Sequence, residues 1–193
     1  MRSFLESRAI KNTSMNTSDE NLKVLAFHEA GHAVVSWSLM IPLKEIRIDP
    51  SGGICLHSLS IISSLDPVMM SNSDWVRVEI KAQILLGGEI AERVAEEMAW
   101  LTGDDKTAEL FRDARETGLE STTSLHDREE FNELIQLCFG NFGTESVNWI
   151  NKIEAKTESI ITDNWEKICA VGNALINKRI LSGYEATQII RES

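Results

Sequence analysis

The stretch LAFHEAGHAVV, Leu25 to Val35, constrains the fold of this chain more than any other. It is an apolar helical run carrying two imidazoles, a carboxylate and a glycine near its middle. Burying His28, Glu29 and His32 costs free energy unless something pairs with them. Histidines at i and i+4 project from one helical face, one turn apart. Their ring nitrogens can then converge on one tetrahedral zinc ion. Glu29 projects to the side of that pair, able to reach a zinc-bound water without ligating the metal. Zinc lowers the pKa of that water to about 7, and the glutamate takes the proton as water attacks a carbonyl. The same group can later deliver a proton to the leaving amine. Gly31 in a helix interior costs about 1 kcal/mol relative to alanine, which points to close approach by another element. The rival reading is a core helix whose histidines bond to neighbours. Two buried histidines and a glutamate on one turn would then need several partners at once.

A catalytic zinc takes three protein ligands and leaves one position for water. The residues after His32, AVVSWSLM, hold no third histidine, so downstream acids are the candidates. The two remaining histidines read as non-ligands: His57 as a solvent-facing strand residue, with lining of the cleft as the alternative, and His126 as a surface residue.

At 193 residues the chain suits one domain, spanning 17–193 behind a loose polar segment at 1–16. A hydrophobic fraction of 42% with five tryptophans, read as core, is enough to form one. The formal charge of −11 without any basic run argues against nucleic acid or an anionic membrane as partner. Cys55, Cys138 and Cys169 are odd in number, widely spaced and form no CxxC pair. They fit a reduced, cytoplasmic chain in which they serve as small buried hydrophobes. The longest mostly apolar stretch, Val24 to Leu43, contains His28, Glu29 and His32 and makes a poor membrane span. No phosphate-binding loop is present, so the chain is expected to lack its own ATPase.

The pattern along the chain is mainly helical, with a small β element between the first and second helices. Thr17 and Glu20 form a capping box opening a helix through about Leu39, ended by Pro42. KEIRIDP and ICLHSLSI alternate as two strands around Ser51-Gly52-Gly53. Helical spacing resumes from Ser73 through Gly87-Gly88 to Met98. Asp104 and Asp105 start another helix, Ser121 to Ser124 reads as a loop, and Asp127 with Glu130 suggests a further helix start. Ile150 to Val171 reads as one long helix that Gly172 bends, and Ser182 with Glu185 caps a short last helix.

FHEAGHAVV resembles the zinc-binding helix in the peptidase domain of the FtsH family of ATP-dependent zinc metalloproteases. ILLGGEIAERV, TGDDKTAELFRDAR and IITDNWEKICAVGNALINKRILSGYEATQII resemble three further family stretches, in the same order. The resemblance covers most of residues 20 to 190. It implies a helical zincin-type fold, a bound Zn2+ and a third ligand from the aspartate of an ND pair. Asp104, with Ala108 four residues on, fits that position, and Asp105 is the fallback. Glu92 is a weaker option, read as second to the ligands, and Glu89 and Glu96 read as a solvated face. The family's membrane anchor and ATPase ring are expected to be missing here, and residues 116 to 150 depart from the family's usual sequence. The expectation is a soluble zinc endopeptidase with His28, His32 and Asp104 as ligands and Glu29 as general base. Its substrates would be peptides or unfolded proteins, delivered in some cases by a separate unfoldase, and the resemblance implies a hexamer. The alternative is a non-catalytic module for oligomerisation or adaptor binding.

Overall fold

A computed structural model describes residues 17–59, 70–116, 122–140 and 142–193, with the side chains of 17–19, 115–116 and 122–124 outside the description. The expectations for residues 1–16, for the Thr17 cap and for a strand beyond residue 59 fall outside these residues. Along the chain run α1 (Thr17–Ser38), β1 (Leu43–Asp49), β2 (Gly52–His57), α2 (Asn72–Thr102) and α3 (Asp105–Glu116). There follow α4 (Thr122–Phe139), α5 (Thr144–Asp163), α6 (Trp165–Lys178), β3 (Ile180–Ser182) and α7 (Gly183–Glu192). The fold is mainly helical with a small sheet after the first helix, as the periodicity predicts.

Helix α1 is the central element because it is apolar on every side. Residues 24–36 are all buried, and α2, α6, β1 and β2 pack around them. Met40, in a left-handed conformation, turns the chain out of the helix two residues before Pro42. In β1 the alternation places Ile46 and Ile48 in the core and leaves Arg47 and Asp49 outside. The sheet has three strands in the order β2-β1-β3, all antiparallel. β3 is three residues long, too short to carry an alternating pattern, and its Leu181 pairs opposite Ile46.

The close approach expected at Gly31 is made by Gly87 of α2. A Cβ on Gly31 would run into the Gly87 carbonyl oxygen and lie 2.6 Å from the Ala91 Cβ. The two helices therefore touch backbone to backbone, which only small residues allow. Helix α2 continues unbroken through Gly87-Gly88, and its start carries a Ser71–Asp74 capping box.

Several sequence expectations are corrected. The long C-terminal helix is two helices, and the break falls at Asn164, whose amide donates to the Ile160 carbonyl at 2.8 Å. That local bond competes with the helical ladder. Gly172 bends nothing: a Cβ there would lie 3.2 Å from the Phe27 ring, so the glycine admits that ring. Helix α4 begins at Thr122, so Asp127 lies in its second turn rather than at a cap. The tryptophans surround the core rather than fill it. Trp100 is 44% exposed, with the Arg112 guanidinium 5.9 Å above its ring. All three cysteines are half-buried.

Replacing Gly31 by alanine should lower stability by about 1–3 kcal/mol, as overpacking does. The intrinsic helix preference has the opposite sign, about 1 kcal/mol in favour of alanine. Urea unfolding separates the two, and an unchanged or higher midpoint would contradict the backbone contact.

Candidate metal centre

The α1–α2 contact brings α2 groups onto the outer nitrogens of both α1 imidazoles. His32 Nδ1 lies 2.6 Å from the Ile84 carbonyl oxygen, which can only accept, so Nδ1 carries the ring proton. His28 Nδ1 lies 2.8 Å from Glu92 Oε1, with the same consequence. Glu92 thus orients a histidine, in keeping with its reading as second to the ligands. Gly88 makes room for the His28 ring, with which a Cβ at that position would collide.

Both Nε2 atoms are left with outward lone pairs. They stand 3.0 Å apart, and Asp127 Oδ2 lies 3.1 Å from that of His28 and 3.0 Å from that of His32. Three acceptor atoms therefore face one another at the corners of a triangle. Without positive charge between them the arrangement is repulsive. Burial opposes charging either ring, yet Glu92 and Asp127 outweigh it and raise both histidines above their ordinary range. The His32 and His28 rings in turn hold the Asp127 carboxyl well below the usual carboxylate range, against the effect of its own burial. The same electrostatic demand is met by a cation. Tetrahedral coordination at about 2.0–2.1 Å has ligand-to-ligand edges of about 3.3 Å, close to this triangle, so the donor set fits a metal ion.

Glu29 is buried to 1% exposure, and its Oε1 has no hydrogen-bond partner among the described residues. Burial pushes its carboxyl up, against the pull of His32 and His28. Gly53 of β2 lies against that carboxylate, and any Cβ there would occupy the place of Oε1. Glu29, His32 and Asp127 open onto a cleft of about 360 Å³ walled by β2, α2 and α4. A second cavity of about 220 Å³ is lined by His28 and Asp127 among others.

Asp104 is not brought to the histidines. It is exposed and stands just before α3, where its Oδ1 accepts the Thr107 N–H at 3.2 Å. That is a helix cap, the ordinary role of an aspartate in this position. Asp105 is also exposed, on the first turn of α3. The acid beside the histidines is Asp127. No local signal marks it out, because an aspartate inside a charged helix looks like any solvated residue. His57, expected to face solvent, is half-buried and lines the cleft, whereas His126 is exposed at its rim.

No protein-family model matches the chain. Individual proteins do. An ATP-dependent zinc metalloprotease FtsH of Caldicellulosiruptor bescii is 27% identical over 91% of this chain and 31% of its own length. A protein of the same description from Nitrosococcus oceani is 25% identical over 90% of this chain and 29% of its own length. A third, from Pirellula staleyi, is 35% identical over 44% of this chain and 12% of its own length. The chain thus spans about three tenths of the length of the first two relatives.

One equivalent of Zn2+ or Co2+ should bind the protein and raise its melting temperature, an effect worth about 2.7 kcal/mol at a hundredfold excess over Kd. Asp127→Ala should weaken that binding at least tenfold. Asp104→Ala should leave it intact and cost about 1 kcal/mol of stability as a lost cap. The reverse ranking, by metal titration and thermal melts, would return the ligand role to Asp104.

Proposed function

From distant homology to the FtsH zinc metalloproteases, we propose that this chain is a zinc-dependent endopeptidase module acting on unfolded proteins or peptides. The observation that carries the reading is Glu29 Oε1: a buried, unpartnered carboxylate oxygen beside three converging ligand atoms, at the wall of a cleft. A structural site would have closed that oxygen off with a donor.

In this reading His28, His32 and Asp127 hold the zinc, and Glu92 with the Ile84 carbonyl fixes both imidazoles in the tautomer that presents Nε2. Bound zinc supplies Lewis acidity and lowers the pKa of water to about 7. Glu29 accepts a proton from the attacking water and returns it to the amine nitrogen that leaves. The outer strand β2 borders the cleft and offers backbone groups to an extended peptide. The relatives are described as ATP-dependent. Folded substrates would accordingly require an ATP-driven unfoldase, and a homo-oligomer, a hexamer by the family resemblance, would enclose the cleft. Among the described residues no helix is long and apolar enough to cross a membrane.

Glu29→Gln should keep its zinc and lose about 10²- to 10⁴-fold in the rate of casein cleavage, the range for general acid–base catalysis. Wild-type protein that binds zinc and cleaves nothing would overturn the enzyme reading in favour of a non-catalytic module. Protein that binds no zinc would overturn the site itself.

A further inference from the structure

Apart from the candidate ligands and Glu29, the polar side chains along the cleft are Cys55, His57, Lys81, His126 and Glu130, and Glu130 lies 2.6 Å from the Lys81 ammonium and 3.7 Å from the His126 ring. His57 ends β2 and lines the same cavity as Glu29, His32 and Asp127. Its Nδ1 lies 3.3 Å from the Leu59 backbone nitrogen, whose N–H can only donate, so Nδ1 is the acceptor and the ring proton sits on Nε2. Among the described residues nothing accepts from that Nε2. Burial, helped by the Lys81 ammonium, lowers the ring's pKa to about 4, so the neutral tautomer persists across the physiological range. His57 is therefore a neutral, single-proton donor with a fixed tautomer, and it lines the cleft.

Its place along β2 decides which part of a peptide it meets. Gly53, which lies against the Glu29 carboxylate, is four residues earlier on the same face of the strand. At about 3.3 Å per residue, that is a separation of roughly 13 Å. The reacting carbonyl belongs near Glu29, so His57 meets the peptide farther along. We infer that His57 contacts the substrate: its Nε2–H donates to a backbone carbonyl of an extended peptide lying along β2, and so sets that peptide's register relative to Glu29. A backbone acceptor makes the contact indifferent to side-chain sequence. The inference rests on the peptidase reading for its substrate class, but its test does not depend on turnover.

The probe is a fluorescein-labelled unstructured casein fragment, and affinity is read by anisotropy on the 193-residue chain carrying Glu29→Gln to prevent cleavage. Adding His57→Phe should weaken binding about 3- to 10-fold, the worth of one hydrogen bond. His57→Gln, which keeps an N–H donor, should recover most of the loss. Zinc content and melting temperature should match across the set. With Glu29 intact, His57→Phe should raise KM and leave kcat nearly unchanged. Equal affinity for the histidine and phenylalanine proteins overturns the inference and leaves the peptidase reading standing. So does failure of glutamine to recover any affinity, since shape alone would then account for the loss, and so does an absence of peptide binding throughout. Failure of the wild-type protein to cleave casein instead overturns the peptidase reading, while the affinities still decide His57.

Discussion

The backbone contact between Gly31 of α1 and Gly87 of α2 governs the geometry of the rest. With a side chain at either position the helices would stand farther apart. The α2 groups on this face, Ile84, Gly88 and Glu92, recur at intervals of four residues and lie one turn apart along the helix. The Ile84 carbonyl and the Glu92 carboxylate each accept a hydrogen bond from the Nδ1–H of one imidazole, and Gly88 leaves room for the His28 ring. The tautomers follow from that contact, and so does the direction of both lone pairs. Moving α2 away by even one methyl group would break a buried hydrogen bond as well as a packing contact, so fold and site share one constraint.

Once the rings are set, the centre is defined by an excess of acceptors. Asp127 joins the histidines from α4, and Glu29 and Glu92 complete a group of three carboxylates around two imidazoles. Two ion pairs from the residues just after Asp127 tie α4 to α2: Arg128 to Glu89 at 3.2 Å and Glu130 to Lys81 at 2.6 Å. Each partly exposed pair contributes at most about 1 kcal/mol, so packing must supply the rest of the hold on α4. Phe131, Leu134 and Ile135 provide it against Val78, Ala82 and Leu85. The third candidate ligand is thus located by a hydrophobic interface and trimmed by surface charge.

Local physics accounts for how much of the fold can be read from the residues. The buried character of α1, the alternation of β1 and the Ser182–Glu185 cap depend on neighbours within a few positions, and all were legible. The split at Asn164 was not, because the apolar spacing runs through it while a single side-chain amide decides the break. β3 is stabilised by pairing with β1, more than 130 residues earlier in the chain, and has no pattern of its own.

The site divides along the same line. The sequence by itself determined that His28 and His32 share a helical face with Glu29 beside them, since a spacing of four fixes that geometry wherever the helix lies. It also pointed, through Gly31, to close approach by a second helix. Only the tertiary structure decided which acid completes the cluster. Asp104 and Asp127 both read in the sequence as aspartates at helix starts, and nothing within a turn of either marks the one that reaches the histidines. The contact that separates them spans 95 and 99 residues and depends on how α4 packs across α2. The same packing turned His57 from an expected surface residue into part of the cleft wall.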